Sequence, residues 1–219
     1  YPGSYRTETE LWNGSSWTEV GDLSYGQSNG GAAGTSTSAI FGGGTVQPGN
    51  PYSGDYTNLS QTWNGTSWTT VGNINNPRYA MNSAGGGADN TSAVIFGGLS
   101  GPSPYVSRAF TESWNGSAWT EVGDMNLGRI MMFGTGATAT AAVAISGETT
   151  PPATLKSETE VWNGTSWSED TNIPTATKTG ASGGTSSSAF TTGGQTPSVV
   201  ATTLEWTGAG PATVTFTDS

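Results

Sequence analysis

Apolar and polar residues alternate in short runs along this chain, and no stretch carries the stripe of an amphipathic helix. Runs such as Thr9-Glu10-Leu11-Trp12 and Phe110–Trp114 lead into a hexad that opens and closes on tryptophan, and runs such as Trp17–Val20 and Trp119–Val122 leave it. The hexad occurs four times, at Trp12–Trp17, Trp63–Trp68, Trp114–Trp119 and Trp162–Trp167, each time as Trp-Asn-Gly-Ser/Thr-Ser/Ala-Trp. A degenerate fifth copy begins at Trp206, and successive first tryptophans stand 51, 51, 48 and 44 residues apart. Asn-Gly between two β-rich runs is a hairpin signal, because both residues tolerate the positive φ of a tight turn. Each hexad is therefore read as a turn joining two strands, c and d.

A second element recurs between the hexads. Short apolar runs closing on glycine, Ser38–Gly43, Ser92–Gly98, Ala142–Gly147 and Ser188–Gly194, read as buried strands b. The Gly- and Ala-rich stretches before them, such as Ala80–Gly87 and Met132–Ala137, read as strands a, whose small residues suit crowding around an axis. Four short strands repeated about every 50 residues is the pattern of a propeller blade. One repeat holds too little apolar surface to fold alone and needs neighbours on both faces.

The fold expected is all-β, a β-propeller forming a single domain over residues 1–219, with blades at about 1–24 (partial), 25–75, 76–126, 127–173 and 174–219. Strands c and d occur five times but a and b only four, which gives five blades, four complete and a partial N-terminal one. That partial blade either lacks its inner strands or completes them upstream, and a larger ring in a longer gene product is the alternative. The chain starts at Tyr1 without Met or a charged leader, which reads as a trimmed product or a fragment. The last copy lacks a second Trp and carries Pro211 there, as a terminal blade with an altered outer strand would.

Composition changes this picture in one respect. With 34 Gly and only 32% hydrophobic residues, the chain would suggest disorder, but nine Trp, all within the five copies, call for a core. Those structural tryptophans are Trp12, Trp17, Trp63, Trp68, Trp114, Trp119, Trp162, Trp167 and Trp206.

Here the residues reach a resemblance. A small-residue strand, an apolar strand closing on Gly-Gly, a strand ending in an aromatic, a turn and then Trp resembles the Kelch repeat, so the blades are expected to be Kelch-like. Arg78 and Arg129, just before their strands a, match the Arg that many Kelch repeats carry. The fuller wording, Thr-Glu-x-Trp-Asn-Gly-Thr-Ser-Trp-Thr-Glu-Val with Phe-Gly-Gly and the closing Glu205-Trp206-Thr207-Gly208 before Thr213–Phe216, is similar to Kelch-like repeat proteins of environmental, especially marine, bacteriophages. The resemblance covers essentially the whole chain and implies a fold more than an activity, since propellers host many functions.

Charge and missing residues narrow the chemistry. A net charge of -10 with six Lys and Arg makes a phosphate backbone an unfavourable partner, so no nucleic acid is expected. No His or Cys is present, which removes Ser-His-Asp catalysis, imidazole bases and thiolate or imidazole metal sites; no metal and no cofactor is expected. Radical-copper oxidase chemistry, found in some Kelch-like propellers, needs such ligands and is excluded with them. The apolar run Ala137–Ile145 is too short to cross a bilayer, so no membrane insertion is expected.

Among the carboxylates, Glu10, Glu112 and Glu160 recur at one blade position and Glu19, Glu121 and Glu169 at another, which reads as architecture. Asp55, Asp89, Glu148 and Glu205 lack counterparts and are the acid–base candidates of a glycosidase reading. Arg6, Arg108 and Lys156 each stand six residues before a hexad Trp and are expected to form exposed cross-strand or interblade pairs with the repeated glutamates, with a ligand role as the alternative. Arg78 and Arg129 stand in loops entering strands a, the face where Kelch domains commonly bind ligands, and binding and structural roles are both open. The b–c loops vary most, Gly44–Asp55, Leu99–Ser107, Glu148–Leu155 and Gln195–Val199, and their Tyr52, nearby Tyr56 and Tyr105 suit stacking on sugar faces. Asn13, Asn64, Asn115 and Asn163 satisfy a glycosylation sequon, which the turn explains without a glycan.

No catalytic residue is assigned. The expectation is a non-enzymatic virion protein, a tail-fibre or surface-appendage propeller at the virion surface or otherwise extracellular, an oligomer within its appendage being compatible with that role. Its partners are a host surface glycan or other virion proteins. A secreted or cell-surface bacterial protein that binds carbohydrate or assembles is the alternative, and a glycosidase the third.

Overall fold

The computed structural model describes residues 5–46, 56–81, 85–101, 103–209 and 212–218. Every regular element among them is a strand; no helix is present that is long and apolar enough to cross a membrane. The chain opens with a hairpin, β1 (Thr9–Trp12) and β2 (Trp17–Val20). Blade 2 follows with β3 (Gln27–Ser28), β4 (Gly31–Thr35), β5 (Ser38–Gly42), β6 (Thr45–Val46), β7 (Ser60–Trp63) and β8 (Trp68–Val71). Blade 3 holds β9 (Gly85–Asp89), β10 (Ser92–Phe96), β11 (Leu99–Ser100), β12 (Val106–Ser107), β13 (Thr111–Trp114) and β14 (Trp119–Glu121). Blade 4 holds β15 (Phe133–Thr138), β16 (Ala141–Ile145), β17 (Glu148–Thr149), β18 (Thr154–Leu155), β19 (Thr159–Trp162) and β20 (Trp167–Asp170). Blade 5 closes the chain with β21 (Ala181–Thr185), β22 (Ser188–Thr192), β23 (Thr203–Ala209) and β24 (Ala212–Asp218).

Each of blades 2 to 5 is a four-stranded antiparallel sheet taken in chain order from the inside out: β4-β5-β7-β8, β9-β10-β13-β14, β15-β16-β19-β20 and β21-β22-β23-β24. The inner strands pack in succession, β4 on β9, β9 on β15 and β15 on β21, and all four line one central cavity of about 390 Å³. Its walls are Gly, Ala, Ser and Thr because there is room for little else: a Cβ on Gly85 would collide with the Ala32 carbonyl. The result is a β-propeller of four full blades, with the partial N-terminal blade reduced to the β1-β2 hairpin.

Local chemistry explains the hairpins. In every hexad the Asn side chain accepts the backbone N–H groups two and three residues on, as Asn64 Oδ1 does from Thr66 and Ser67 at 2.9 Å each, and the following Gly takes a positive φ, 92° at Gly65. The turn sets the two tryptophans directly opposite, Trp63 on Trp68 and Trp114 on Trp119, with ring centroids 5.6 and 5.4 Å apart.

Both indoles then carry a hydrogen-bond code. The first Trp donates to the a–b turn of its own blade: Trp63 Nε1 to Ser36 O at 2.9 Å, Trp114 to Asn90 O at 2.9 Å, Trp162 to Ala139 O at 3.0 Å. The second donates to the hydroxyl that opens strand c of the preceding blade: Trp68 Nε1 to Thr9 Oγ1 at 2.9 Å, Trp119 to Ser60 Oγ at 3.0 Å, Trp167 to Thr111 Oγ1 at 3.0 Å. Intrablade and interblade packing thus rest on one repeated pair. Around it lies the main core, Trp114, Trp119, Trp162 and Trp167 with Ile40, Val94, Phe96 and Met132.

Four expectations change. Trp12 and Trp17 are 46% and 64% exposed, because among the described residues β1 pairs with β2 alone. Strand a of blade 4 runs Phe133–Thr138, a residue later than the small-residue run suggests, because Met131 takes a φ of 51° in the segment that enters the blade. The b–c connections of blades 3 and 4 contain short ladders, β11 paired to β12 and β17 to β18, while β6 pairs back to β3. Arg6 and Lys156 pair with Glu8 at 3.1 Å and Glu158 at 3.9 Å, near in sequence, and not with the repeated glutamates, of which Glu112 and Glu160 are drawn inward.

Candidate functional site

The segments entering blades 3, 4 and 5 each bridge to the b–c connection of the same blade, Tyr79 to Leu99, Ile130 to Glu148 and Lys178 to Gln195. All of these connections therefore build one face. On it three tyrosines meet: Tyr56 stacks on Tyr79 at 6.1 Å, and Tyr105 stands edge-on to both at 6.3 Å. Tyr56 comes from the b–c connection of blade 2, Tyr105 from that of blade 3, and Tyr79 from the segment between them. The rings are half-buried over an apolar floor of Ala80, Leu99 and Ile130, and the Tyr56 hydroxyl accepts the Gly101 N–H at 3.1 Å.

Arg108 stands at the edge of this group. Its Nε donates to Ser100 Oγ at 3.0 Å, and its guanidinium carbon lies 5.6 Å from the centre of the Phe110 ring. Neighbouring connections are tied together beside it: Ser107 N donates to Thr150 O at 2.9 Å, and Lys178 pairs with Glu148 at 2.5 Å. The face is a fixed surface held by hydrogen bonds from adjacent blades.

Tyr56, Tyr105 and Arg108 were legible as candidates; Tyr52 lies outside the described residues. Tyr79 was missed. Its signal was the repeat position shared with Ser28, Ile130 and Lys178, where it alone is aromatic.

Arg78 and Arg129 need a correction as ligand-binding residues, since both are fully buried. Arg78 Nη1 donates to Glu112 Oε1 and, at 2.9 Å, to Asn76 O; Arg129 Nη2 meets Glu160 Oε1 at 2.8 Å while Nη1 donates to Ser146 O at 2.8 Å and Glu158 O at 2.5 Å. The carboxylates are further held by the incoming segment, Asn75 N and Nδ2 on Glu112 and Asn126 N and Nδ2 on Glu160. Burial pulls each guanidinium's pKa down from its usual value, and the facing glutamate opposes the shift. The physical reason for the inward turn is that strand c places Glu112 and Glu160 on the same side as the buried Trp114 and Trp162 two residues on. In blade 2 the same slot holds a neutral pair, Gln61 Nε2 donating to Gln27 Oε1 at 2.5 Å.

The unmatched carboxylates are not gathered. Asp89 is half-buried at the end of β9, where the a–b turn of blade 3 begins, and accepts Thr91 Oγ1 at 2.6 Å and Thr91 N at 2.7 Å, which hold its pKa below the usual value. Glu148 is occupied by Lys178, Glu205 is an exposed residue of β23, and Asp55 lies outside the described residues. Among the described residues no group of His, Cys, Asp or Glu is arranged to hold a metal ion.

Four radially ordered sheets, a small-residue hub and a loop face define a β-propeller. The chain is similar to the solved structure of YjhT, with a TM-score of 0.70 and 12% identity over 92% of this chain and 72% of that one. That likeness is one of fold. No family model and no curated protein matches the chain.

Proposed function

We propose that this is a Kelch-type propeller of a bacteriophage virion, a tail-fibre or surface-appendage part that binds a host surface glycan without turning it over. The observation that carries the reading is the cluster of Tyr56, Tyr79 and Tyr105 on the face where the variable connections gather. Aromatic rings set on a rigid floor offer the flat apolar surface on which the C–H face of a sugar stacks. Arg108 beside them supplies directional donors. Two further features support it: the repeat wording resembles that of phage Kelch-like proteins, and the described acid–base candidates stand apart.

Binding of the purified chain to polysaccharide from a susceptible host tests the reading. Replacing Tyr56 and Tyr105 by Ala is expected to lower affinity at least about tenfold, as loss of about 1.4 kcal/mol or more of stacking would. Unchanged affinity in that variant, or turnover of the polysaccharide by the parent, overturns it. Copurification with intact virions separates the virion protein from a secreted or cell-surface bacterial one.

A further inference from the structure

Blade 5 departs from its neighbours at one slot, and a cavity opens there. Where the other blades carry Gln27, Arg78 and Arg129, it carries Thr177; where they carry Gln61, Glu112 and Glu160, it carries Leu204. A third member changes with them. Ser24, Asn75 and Asn126 each donate a backbone N–H to the Gln or Glu of their slot, and the residue at that position in blade 5 is Pro174, which has no N–H to give. The long polar pair and the donor that served it are all absent together, and a space of about 520 Å³ remains, lined by Pro174, Thr177, Thr191, Val200, Thr202 and Leu204 among others.

The backbone around this space is unchanged. Ile173 N donates to Ser157 O at 3.0 Å, as Met125 N does to Ala109 O at 3.0 Å and Ile74 N to Asn58 O at 2.9 Å. One wall is anchored to blade 4, where Ser146 Oγ receives the Thr177 N–H at 2.9 Å and lies 3.2 Å from its hydroxyl. The cavity is formed by the segment entering blade 5 and by its b–c connection, so it opens on the same face as the tyrosine cluster. Its volume falls within the roughly 300–1,000 Å³ of small-molecule sites.

We propose that this cavity binds a single uncharged sugar ring. Among the described residues that line it none is charged, so an ionised ligand entering between Leu204 and Pro174 would lose water and find no counter-charge from them. The threonines present both a hydroxyl, which donates and accepts, and a methyl; Val200, Leu204 and Pro174 are apolar. This mixture matches a pyranose, with hydroxyls on its rim and C–H groups on its faces. The inference rests on the glycan-binding reading and deepens it by placing one sugar unit in the slot vacated by the ion pair.

The test is a methyl-observed NMR titration of the full chain with D-glucose, D-galactose, D-mannose and N-acetyl-D-glucosamine, with D-glucuronate as the charged control. At least one neutral sugar is expected to shift the Thr177, Val200 and Leu204 methyls with a dissociation constant of about a millimolar, and glucuronate to bind at least about tenfold more weakly. Thr177→Arg combined with Leu204→Glu rebuilds the pair of blades 3 and 4 and is expected to abolish the shifts. Val200→Trp fills the space without charge and is expected to do the same, each variant being checked for an unchanged far-ultraviolet spectrum. Shifts by no neutral sugar, shifts that survive in both folded variants, or equal binding of glucuronate overturn the proposal. If polysaccharide binding depends on Tyr56 and Tyr105 but is untouched by both cavity variants, the cavity proposal alone is overturned. Methyl shifts without any polysaccharide binding overturn the wider glycan reading and leave the cavity standing.

Discussion

Blades 4 and 5 share a strand order and nearly a register, with Ala142 opposite Trp162 in one and Ala189 opposite Trp206 in the other, yet they fill their interiors differently. Blade 4 closes the slot beside strand c with Arg129, Glu160 and Asn126, and its indoles both find acceptors. Blade 5 puts Thr177, Leu204 and Pro174 in the slot, and Trp206 Nε1 is buried without a partner. The register partner of Trp206 is Phe216, a residue type whose side chain carries no N–H, and Thr159 Oγ1, which stands where Thr9, Ser60 and Thr111 receive their neighbours' indoles, is buried and unpartnered. The comparison teaches that the ladder of strands tolerates ionic, amide and neutral fillings of one slot. What changes is how much each blade depends on its contents.

The largest effect tests that dependence. Glu160→Leu leaves Arg129 buried and unpaired and is expected to lower stability by about 3–5 kcal/mol in urea unfolding. Adding Arg129→Thr converts the slot to the blade 5 filling and is expected to recover at least half of the loss; a double variant no better than the single would break the equivalence of the two slots. Next comes the indole code. Trp114→Phe strands the Asn90 carbonyl and is expected to lower stability by about 1–3 kcal/mol, whereas Trp12→Phe, at an exposed position, is expected to stay within about 0.5 kcal/mol.

A finer contrast lies in the hydroxyls. Thr111→Val removes the acceptor of Trp167 and is expected to be destabilising by about 1 kcal/mol, while Thr159→Val removes a buried hydroxyl that has no partner and is expected to be neutral or stabilising. Equal losses at both sites would show that the indole bond is not what distinguishes blade 4 from blade 5. The smallest effect is one of pH at the a–b turn. The Thr91 hydroxyl lowers the Asp89 pKa in the folded state, so its contribution is present above the unfolded value of about 3.9 and fades as pH falls through the folded one. The melting temperatures of the parent and Asp89→Leu are expected to differ at pH 7 and to converge toward pH 2.

Much of the architecture was legible because its signals are short-range or repeated. The Asn and Gly of each hexad act within four residues of one another, so Trp63-Asn64-Gly65 announces its own hairpin wherever it stands. Two of the three tyrosines were legible as loop aromatics. Their meeting was not, since Tyr56 and Tyr105 come from successive blades and Tyr79 from the segment between. The burial of Arg78 and Arg129 was not legible, because a lone Arg before a strand looks the same whether its carboxylate is solvent-facing or turned inward.

The order of amino acids by itself determined the hairpins, the number of repeats and the need for a ring, because turn chemistry and tryptophan spacing are properties of the chain. Only the tertiary structure decided that Arg78 meets Glu112 across 34 residues and Arg129 meets Glu160 across 31. It alone decided, too, that identical indole pairs are buried at Trp114 and Trp119 but open at Trp12 and Trp17. Burial is a property of what stands alongside, and in a ring of sheets each blade is covered by strands that its own hexad does not encode.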